Sequence, residues 1–218
     1  MDYIDQRIVR VKIAGKGHGI IAQKKIPVNT LIIRETAAFQ LGPNEKIYSD
    51  IFQLLYQIFT SDSPKKIKQF QNFVPKNTKS YQHYREKIEK ELTKLKNTEQ
   101  HHIYTFFKEN YTDNEILLFC AKYMANAFEP GVVLIKGAML NHSCSPNVIF
   151  NWEKRSASDK KENIMNFTTV RDIEAGEEIC GNYVDIRLDN EARQKRLLDQ
   201  YGFHCRCVRC SHESNITL

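Results

Sequence analysis

Three cysteines lie close together near the end of the sequence, and they are Cys205, Cys207 and Cys210. Thiolates at this spacing can bind one zinc ion, which takes four ligands in tetrahedral geometry. Three thiolates leave one position for another ligand, and Cys144 is the best candidate for it. His204 and His212 remain alternatives because they lie nearer in the sequence. A site of four thiolates would be closed to water, so we expect one structural zinc that folds the tail onto the rest of the chain.

Three other segments contain glycine, asparagine and tyrosine in patterns that could also serve chemistry. They are residues 15–19 (GKGHG), residues 141–147 (NHSCSPN) and residues 176–183 (GEEICGNY). Each segment alone is weak evidence, because a glycine-rich turn can simply join two strands and a tyrosine in a strand usually packs in a core. An Asn–His pair is likewise more often part of a turn than of a site. All three segments together with the cysteine tail are strong evidence of a functional site.

These segments occur in the order that is typical of SET-domain protein-lysine methyltransferases, and the sequence resembles the SET-and-MYND branch of that superfamily. The resemblance covers roughly residues 7–42 and 120–211. Two features of that branch are not found in the sequence: the MYND zinc finger, since residues 44–119 contain no cysteine, and the C-terminal helical domain. The resemblance implies methyl transfer from S-adenosylmethionine to the side-chain amine of a lysine in a protein substrate, with histones among the expected substrates.

The resemblance also implies roles for individual residues. The residues expected to contact the methionine part of the cofactor are Gly15, Lys16, Gly17 and His18. Glycines let a ligand approach the backbone closely, and backbone amides can bind its carboxylate. Asn141 and His142 are expected beside the adenosyl part, in the segment that SET folds thread through a loop. Tyr183 is the expected catalytic residue, with its hydroxyl facing the cofactor and the methyl-transfer channel.

Aromatic residues are expected to line the route to this centre. By resemblance, Phe128, Tyr183 and Tyr201 line the channel for the substrate lysine, and Phe203 covers the cofactor. An aromatic wall suits the apolar stem of lysine and attracts a methylammonium group through cation–π contact. For Phe128, plain core packing is the alternative. If Cys144 ties the threaded segment to the cysteine tail, loss of the metal should open both the cofactor pocket and the lysine channel.

Short strands are expected to position these residues. Apolar residues flank the glycine-rich turn on both sides, which predicts a hairpin. Val148, Phe150 and Trp152 alternate with polar residues and predict another strand, with residues 164–170 as its returning partner. The charged segment 153–163 between them predicts an exposed loop.

The middle of the chain has a helical pattern instead. Residues 44–119 carry apolar side chains at helical spacing. Thr112 followed by Glu115 has the spacing of a capping box, which predicts a helix start. A final helix is predicted from about residue 191 to 200, ending near Gly202, because glycine commonly ends helices.

We therefore expect an α+β protein that combines a β-rich SET fold with a threaded segment, a helical insert and a C-terminal post-SET zinc-binding tail. In chain order, the expected parts are the N-terminal part of the SET domain (1–43), the helical insert (44–119), the C-terminal part of the SET domain (120–200) and the cysteine tail (201–218). A chain of 218 residues that is 41% hydrophobic can bury such a core without disulfide bonds.

Charge and hydropathy exclude some functions and leave others open. The net charge of 32 − 26 = +6 permits contact with nucleic acid but does not argue for it. The longest apolar run, residues 116–121, is far shorter than the roughly 20 residues of a membrane span, so we expect no membrane insertion. The sequence begins without an apolar stretch of signal-peptide type, and we expect an intracellular protein of the nucleus or cytoplasm.

Two functions besides methyl transfer remain open from the sequence. A catalytically silent SET module would bind peptide or cofactor without turnover. A small zinc protein that binds nucleic acid through the lysine-rich insert would show a strong salt dependence of binding. Methyl transfer is the leading hypothesis because Tyr183 and the combined segments support it.

Overall fold

A computed structural model describes residues 1–41, 49–128, 131–153 and 163–216, with side chains described as far as Glu213. The chain divides into two compact units. The first unit contains Met1–Ala37 and Lys136–Leu218, and the second contains Ala38–Ile135. Two ends of the sequence therefore form one unit, while the middle forms the other. The boundary expected between residues 43 and 44 lies outside the described residues.

Strands occur in both units, and most belong to the first. In chain order they are β1 (Tyr3–Ile4), β2 (Ile8–Ile13), β3 (Gly17–Ala22), β4 (Leu31–Thr36), β5 (Ala127–Phe128), β6 (Val132–Val133), β7 (Asn141–His142), β8 (Val148–Trp152), β9 (Ile164–Thr169) and β10 (Glu178–Gly181). The antiparallel pair β5 and β6 lies in the second unit. The remaining strands form the sheets of the first unit.

The first unit contains one sheet in the order β1-β4-β9-β8 and another in the order β2-β3-β10-β7. Strands β8 and β9 pair antiparallel with Phe150 opposite Phe167, which confirms the predicted partner strand. Most of the charged segment predicted to join them lies outside the described residues. In the second sheet, β7 runs parallel to β10, so that Asn141 lies opposite Cys180 and His142 lies opposite Gly181. This parallel pair brings two of the sequence segments together.

The glycine-rich turn forms the predicted hairpin between β2 and β3. Its strands pair antiparallel with Ile13 opposite Gly17, and the amide of Lys16 donates to the carbonyl of Ile13 at 3.1 Å. Gly15 and Gly17 have φ angles of +73° and +79°, a region that other L-residues rarely adopt. The tight turn therefore requires glycine at both positions.

Helices make up most of the second unit and the end of the first. In chain order they are α1 (Asp50–Phe59), α2 (Pro64–Gln71), α3 (Arg85–Lys94), α4 (His101–Asn110), α5 (Asp113–Asn126), α6 (Asn190–Tyr201) and α7 (Val208–Ile216). The predicted capping box begins α5, because Thr112 and Glu115 exchange side-chain and backbone hydrogen bonds. The predicted last helix is α6, and Gly202 ends it with a φ angle of +75°. Helix α7, which carries Cys210, was not predicted.

Aromatic and aliphatic side chains from α1 to α5 form the core of the second unit. Phe52, Phe70 and Phe107 are fully buried in it. Rings meet mostly edge to face, as for Phe52 and Phe107 with centroids 5.4 Å apart. Such pairs add to the stabilisation that burial of apolar surface already gives.

A lysine is buried in this second unit. Lys122 on α5 is 3% exposed, and its ammonium donates to the carbonyls of Gln71 at 2.7 Å and Phe73 at 2.5 Å. Asn126, one turn later, donates to the carbonyl of Val74 at 2.6 Å. Helix α5 thus satisfies carbonyls at and just beyond the end of α2, which no intrahelical amide can reach. Desolvation, together with the charge of Lys76, lowers the pKa of Lys122 to about 8.

We expect the stability of the chain to rise between about pH 8 and pH 10.5 because of Lys122. Below this range both folded and unfolded states hold the proton, and above it neither does. Within it the unfolded chain binds the proton that the folded chain has released, so the unfolding free energy increases by up to about 3 kcal/mol. Urea unfolding of the wild type and Lys122→Met across this range tests the effect. The variant should show a shallower rise, and an identical slope would contradict the assignment.

None of the helices in the described part of the chain is both long enough and apolar enough to cross a membrane.

Candidate functional site

Tyr183 lies just after β10 and is held through its side chain and its backbone. Its hydroxyl donates to the carbonyl of Leu140 at 2.6 Å, and its amide donates to Nδ1 of His142 at 2.9 Å. Desolvation, with the nearby Tyr201, raises the pKa of the Tyr183 hydroxyl well above its usual value. The hydroxyl is therefore neutral at physiological pH. It can orient a reacting group, but it is a poor general base.

His142 connects Tyr183 to Cys144. Its Nδ1 accepts the Tyr183 amide, so the proton of the neutral ring is assigned to Nε2. Nε2 lies 3.2 Å from the sulfur of Cys144. Burial, together with the charges of Arg193 and Lys16, lowers the pKa of His142 to about 4. The imidazole is thus a neutral bridge from the backbone of Tyr183 to a cysteine sulfur, and the cofactor contact expected of it stays a prediction.

Asn141 meets the glycine-rich hairpin through Glu178. Its Nδ2 donates to Oε1 of Glu178 at 2.8 Å and to the carbonyl of His18 at 3.2 Å. The other oxygen of Glu178 pairs with the ammonium of Lys16 at 2.5 Å. Desolvation lowers the pKa of Lys16, but the hydrogen bond and charge of Glu178 outweigh this effect and raise it. A cation, an anion and an amide therefore lie side by side at the hairpin.

Gly19 is the position where this arrangement leaves least room. A Cβ atom there would lie 2.5 Å from Nδ2 of Asn141 and 2.5 Å from Cδ1 of Ile13. Cβ atoms at Gly15 and Gly17 would meet nothing within 4 Å. The backbone of the turn is therefore open, while the strand beside it is packed against Asn141. The amino-acid part of S-adenosylmethionine carries an ammonium and a carboxylate, and the charged and amide groups at this turn would suit it, so its contact with these residues stays a prediction.

We expect Gly19→Ala to displace the side chain of Asn141 and to weaken cofactor binding by roughly 10-fold, the effect of about one hydrogen bond. The crowded atoms are the ends of side chains, so the chain should still fold. Calorimetric titration with S-adenosylhomocysteine measures the change. Asn141→Ala is the matched comparison, since it removes the same amide without adding bulk at Gly19 and should weaken binding to a similar degree. Equal affinities of Gly19→Ala and the wild type would show that Asn141 is not needed for binding.

Tyr201 and Phe203 pack around Tyr183. The rings of Tyr183 and Tyr201 have centroids 4.8 Å apart, and the hydroxyl of Tyr201 lies 3.3 Å from the carbonyl of Tyr183 as its donor. Phe203 meets Tyr183 edge to face at 6.5 Å and His142 at 6.2 Å. The structure thus brings these three predicted aromatic residues into one cluster, because α6 ends beside β10. Their individual roles in a channel stay predictions.

The structure also brings Cys144 to the cysteine tail. The sulfurs of Cys144, Cys205, Cys207 and Cys210 all lie within 4.8 Å of one another. Those of Cys144 and Cys210 are 3.5 Å apart. Four sulfurs around one zinc ion at 2.3 Å would be about 3.8 Å apart, so the group fits such an ion. Its members are those predicted from the sequence, and neither His204 nor His212 belongs to it.

Comparison with protein families decides the fold family. The model of the SET domain matches residues 17–184, which is well over half of the chain. This chain belongs to the SET-domain family. The match includes residues 17–19 of the glycine-rich turn, the segment 141–147 with Cys144, and Tyr183, while the other three cysteines of the group lie beyond it.

Curated relatives of this SET-domain chain support the same family. The SET domain-containing protein L678 of Acanthamoeba polyphaga mimivirus is 45% identical over 94% of this chain and 78% of its own length. The histone-lysine N-methyltransferase set5 of Schizosaccharomyces pombe is 30% identical over 93% of this chain, which spans 50% of that protein. The histone-lysine N-methyltransferase SMYD3 of Homo sapiens is 39% identical over 41% of this chain and 21% of its own length. Similarity to the SMYD proteins is thus partial, and the chain spans half or less of these two named enzymes.

Solved structures show the same fold. The SET domain of LSMT bound to lysine and AdoHcy superposes with a TM-score of 0.69 at 16% identity, over 93% of this chain and 54% of that one. Rubisco LSMT bound to AdoMet gives a TM-score of 0.61, also at 16% identity, over 92% of this chain and 52% of that one. The expected α+β SET fold with a helical insert and a C-terminal cysteine group is therefore confirmed.

Phe128 is the predicted channel residue that the structure places in the second unit. It lies in β5 opposite Val132. Its expected role as a channel wall therefore stays a prediction.

Several residues that position the site of this SET domain were not identified from the sequence. Asn147 is 2% exposed; its amide donates to the carbonyl of Glu178 at 2.8 Å, and its oxygen accepts the amide of Cys180 at 2.8 Å. Gln194 on α6 both accepts from and donates to the backbone of Cys205 at 2.8 Å. Asn147 stands in a segment that the sequence did single out, but its partners lie more than thirty residues away. Gln194 carried no signal at all.

Glu35 is a further positioning residue that sequence reasoning missed. This buried carboxylate on β4 accepts the amides of Lys136 at 2.9 Å and Gly137 at 2.8 Å. These residues begin a short 3₁₀ turn, Gly137–Met139, that leads directly to Leu140 and Asn141. The available signal was a charged residue at an inward position of a strand that is otherwise apolar on that face.

Proposed function

We propose that this SET domain transfers a methyl group from S-adenosylmethionine to the side-chain amine of a lysine in a protein substrate. The observation that carries the proposal is the meeting of Tyr183, Asn141 and the glycine-rich hairpin at β10. S-adenosylmethionine would supply the methyl group, which passes from a sulfonium sulfur to the neutral amine while the C–S bond breaks and a C–N bond forms. Its binding residues would be Gly15, Lys16, Gly17, His18, Asn141, His142, Tyr183 and Phe203.

Residues of the chain would act mainly by placement. Holding donor and acceptor in line makes a bimolecular step effectively unimolecular, which lowers its barrier by several kcal/mol. The hydroxyl of Tyr183 donates its proton to the carbonyl of Leu140, which fixes its orientation. The lone pairs of its oxygen would face the reacting groups. Tyr201 packs against the same ring and would support the lysine stem. A zinc ion bound by the four cysteines would be structural and would take no part in the transfer.

Lysine in a protein is the substrate class that the neighbouring structures support. The structure of the SET domain of LSMT carries a bound lysine together with AdoHcy. Histones are the first protein substrates to test, because set5 of Schizosaccharomyces pombe and SMYD3 of Homo sapiens are named histone-lysine N-methyltransferases. The proposal includes an intracellular setting, in the nucleus or cytoplasm, because clustered free thiols are typical of reducing compartments.

Incubation of the zinc-loaded chain with labelled S-adenosylmethionine, core histones and unrelated lysine-rich proteins tests the proposal. We expect label on lysine, located by mass spectrometry, that Tyr183→Phe no longer incorporates. Calorimetry with S-adenosylhomocysteine is run on the same sample. Cofactor binding without transfer to any protein would contradict methyl transfer and favour a silent SET module. Salt-sensitive binding of DNA or RNA without cofactor binding would favour the nucleic-acid alternative.

A further inference from the structure

Arg193 is a buried cation that the proposed reaction does not use. It lies on α6, its side chain is fully buried, and its Nη1 donates to the carbonyl of Leu188 at 2.5 Å. Nη2 pairs with the carboxylate of Glu213 and lies 4.0 Å from the sulfur of Cys210. Its Nε has no hydrogen-bond partner within the described residues. Burial of a guanidinium group is costly unless opposite charge compensates it.

Glu213 compensates this charge only in part, because it is shared. Its other oxygen accepts Nε of Arg209 at 2.9 Å, so one carboxylate bridges two arginines. Two arginines and one glutamate carry a net charge of 2 − 1 = +1. The carboxylate is also 30% exposed, while Arg193 has no exposed side-chain surface. The single negative charge of Glu213 therefore does not balance the two positive charges of Arg193 and Arg209.

A zinc ion bound by the four cysteines would provide the missing negative charge. Four thiolates around one Zn²⁺ ion carry a formal charge of −2. Cys210 and Glu213 lie one turn apart on α7, so the sulfur and the carboxylate approach Arg193 from the same helix. A buried charge pair in low dielectric interacts much more strongly than one in water.

Arg209 fastens the same network to the segment that carries Cys144. Its Nη1 donates to the carbonyl of Ile186 at 2.7 Å and to that of Cys144 at 3.3 Å. Glu213 thus connects Arg193 on α6 to Arg209 on α7, and Arg209 connects α7 to the chain before and after Tyr183. Helix α6 also carries Tyr201. The network thus places Arg193 beside the sulfur of Cys210 and Arg209 beside the backbone of Cys144.

We propose that Arg193 is the internal counter-cation of the four-cysteine zinc centre, a positioning residue that strengthens zinc binding through its buried charge. Glu213 fixes the orientation of the guanidinium and does not serve as its main charge partner. The inference rests on the zinc site and is independent of the methyl-transfer reaction. Zinc retention can therefore be measured without cofactor or substrate, so a failure here differs from a failure of the proposed function.

The rate of zinc transfer from the zinc-loaded chain to a colorimetric chelator tests the proposal. Arg193→Met should release zinc roughly 10–100-fold faster, since loss of an outer-shell partner of a metal ligand typically weakens metal binding by that factor. Arg193→Lys keeps the charge and should lie much closer to the wild type. Arg187→Met is the matched control, because Arg187 is an exposed arginine that pairs with Asp185. It should release zinc at the wild-type rate.

Glu213→Gln separates a charge effect from a purely structural role. It removes the competing negative charge but keeps an acceptor oxygen of the same shape, so zinc should dissociate no faster than from the wild type. If Arg193 acted only by holding α6 and α7 together, loss of its ion pair with Glu213 would make zinc dissociate faster. If Arg193→Met does not fold, Arg193→Lys and Glu213→Gln still carry the test. Wild-type zinc release from Arg193→Met, or faster release from Glu213→Gln, would overturn the proposal.

Discussion

Tyr183→Phe is expected to lower kcat for methyl transfer by roughly 10²–10³-fold, the cost of removing one preorganised dipole from a transition state. The variant keeps the ring that packs between His142, Tyr201 and Phe203, and it keeps the amide bond to His142. Only the hydroxyl and its bond to the carbonyl of Leu140 are lost. The loss of stability should therefore stay below about 2 kcal/mol. Steady-state kinetics with the best protein substrate, together with thermal unfolding, measures both effects.

The pH profile of the residual activity distinguishes orientation from base catalysis. Because desolvation raises the pKa of the Tyr183 hydroxyl well above its usual value, the group stays protonated from neutral to moderately alkaline pH. The wild type and Tyr183→Phe should therefore show the same rise of rate with pH, which reports deprotonation of the substrate amine. A rise that is present in the wild type and absent from the variant would identify Tyr183 as a base.

Matched loss of a hydroxyl elsewhere controls for general effects on folding. Tyr56→Phe on α1 changes a tyrosine whose ring packs against His102 and Phe106 in the helical unit. Its turnover should equal that of the wild type. Tyr201→Phe removes a hydroxyl that donates to the carbonyl of Tyr183, so a smaller but measurable loss of rate is expected. Nearly full activity of Tyr183→Phe would contradict the assignment of Tyr183 as the catalytic residue.

Cys144→Ser is expected to remove zinc from most molecules and to lower metal affinity by more than about 100-fold, since even outer-shell changes cost 10–100-fold. Cys144 supplies one of the four thiolates of the group. It is also the member that lies outside the tail, so the metal would join the tail to the rest of the unit through Cys144. Metal analysis of the purified chain should find one zinc in the wild type. Because structural zinc binding is coupled to folding, the unfolding temperature should fall with it.

Loss of zinc should also weaken cofactor binding. Cys144 contacts Nε2 of His142 at 3.2 Å, and Nδ1 of the same ring accepts the amide of Tyr183 at 2.9 Å. Release of Cys144 therefore frees the imidazole that orients the backbone at Tyr183. Calorimetry with S-adenosylhomocysteine should show lower affinity for both Cys144→Ser and the chelator-treated wild type.

Cys120→Ser is the matched control for this experiment. Cys120 is also a fully buried cysteine, but it lies on α5 in the core of the helical unit and outside the four-cysteine group. Both substitutions bury a hydroxyl in place of a thiol, yet only Cys144→Ser removes a zinc ligand. Equal zinc content in Cys144→Ser and Cys120→Ser would refute the assignment of Cys144.

Local features of the fold were predictable because they depend on neighbours in the sequence. The hairpin requires glycine at residues 15 and 17, and the capping box of α5 needs only Thr112 and Glu115 three residues apart. Helix α6 ends at Gly202 for the same local reason. Helix α7 was not predicted, because the cysteines at and just before its start indicated metal binding and its apolar pattern is weak. Cys210 on this helix joins a four-cysteine group that only tertiary contacts bring together.

The sequence by itself determined which kinds of chemistry are available: thiols spaced for one metal ion, a glycine-rich turn open to a ligand, and a tyrosine beside a polar loop. Only the tertiary structure decided which residues meet. His142 and Tyr183 are 41 positions apart, Glu35 and Lys136 are 101 apart, and Cys144 and Cys210 are 66 apart. Such contacts depend on how the two ends of the sequence fold together into one unit. Charge compensation, as at Arg193, depends on burial, which no local pattern of residues records.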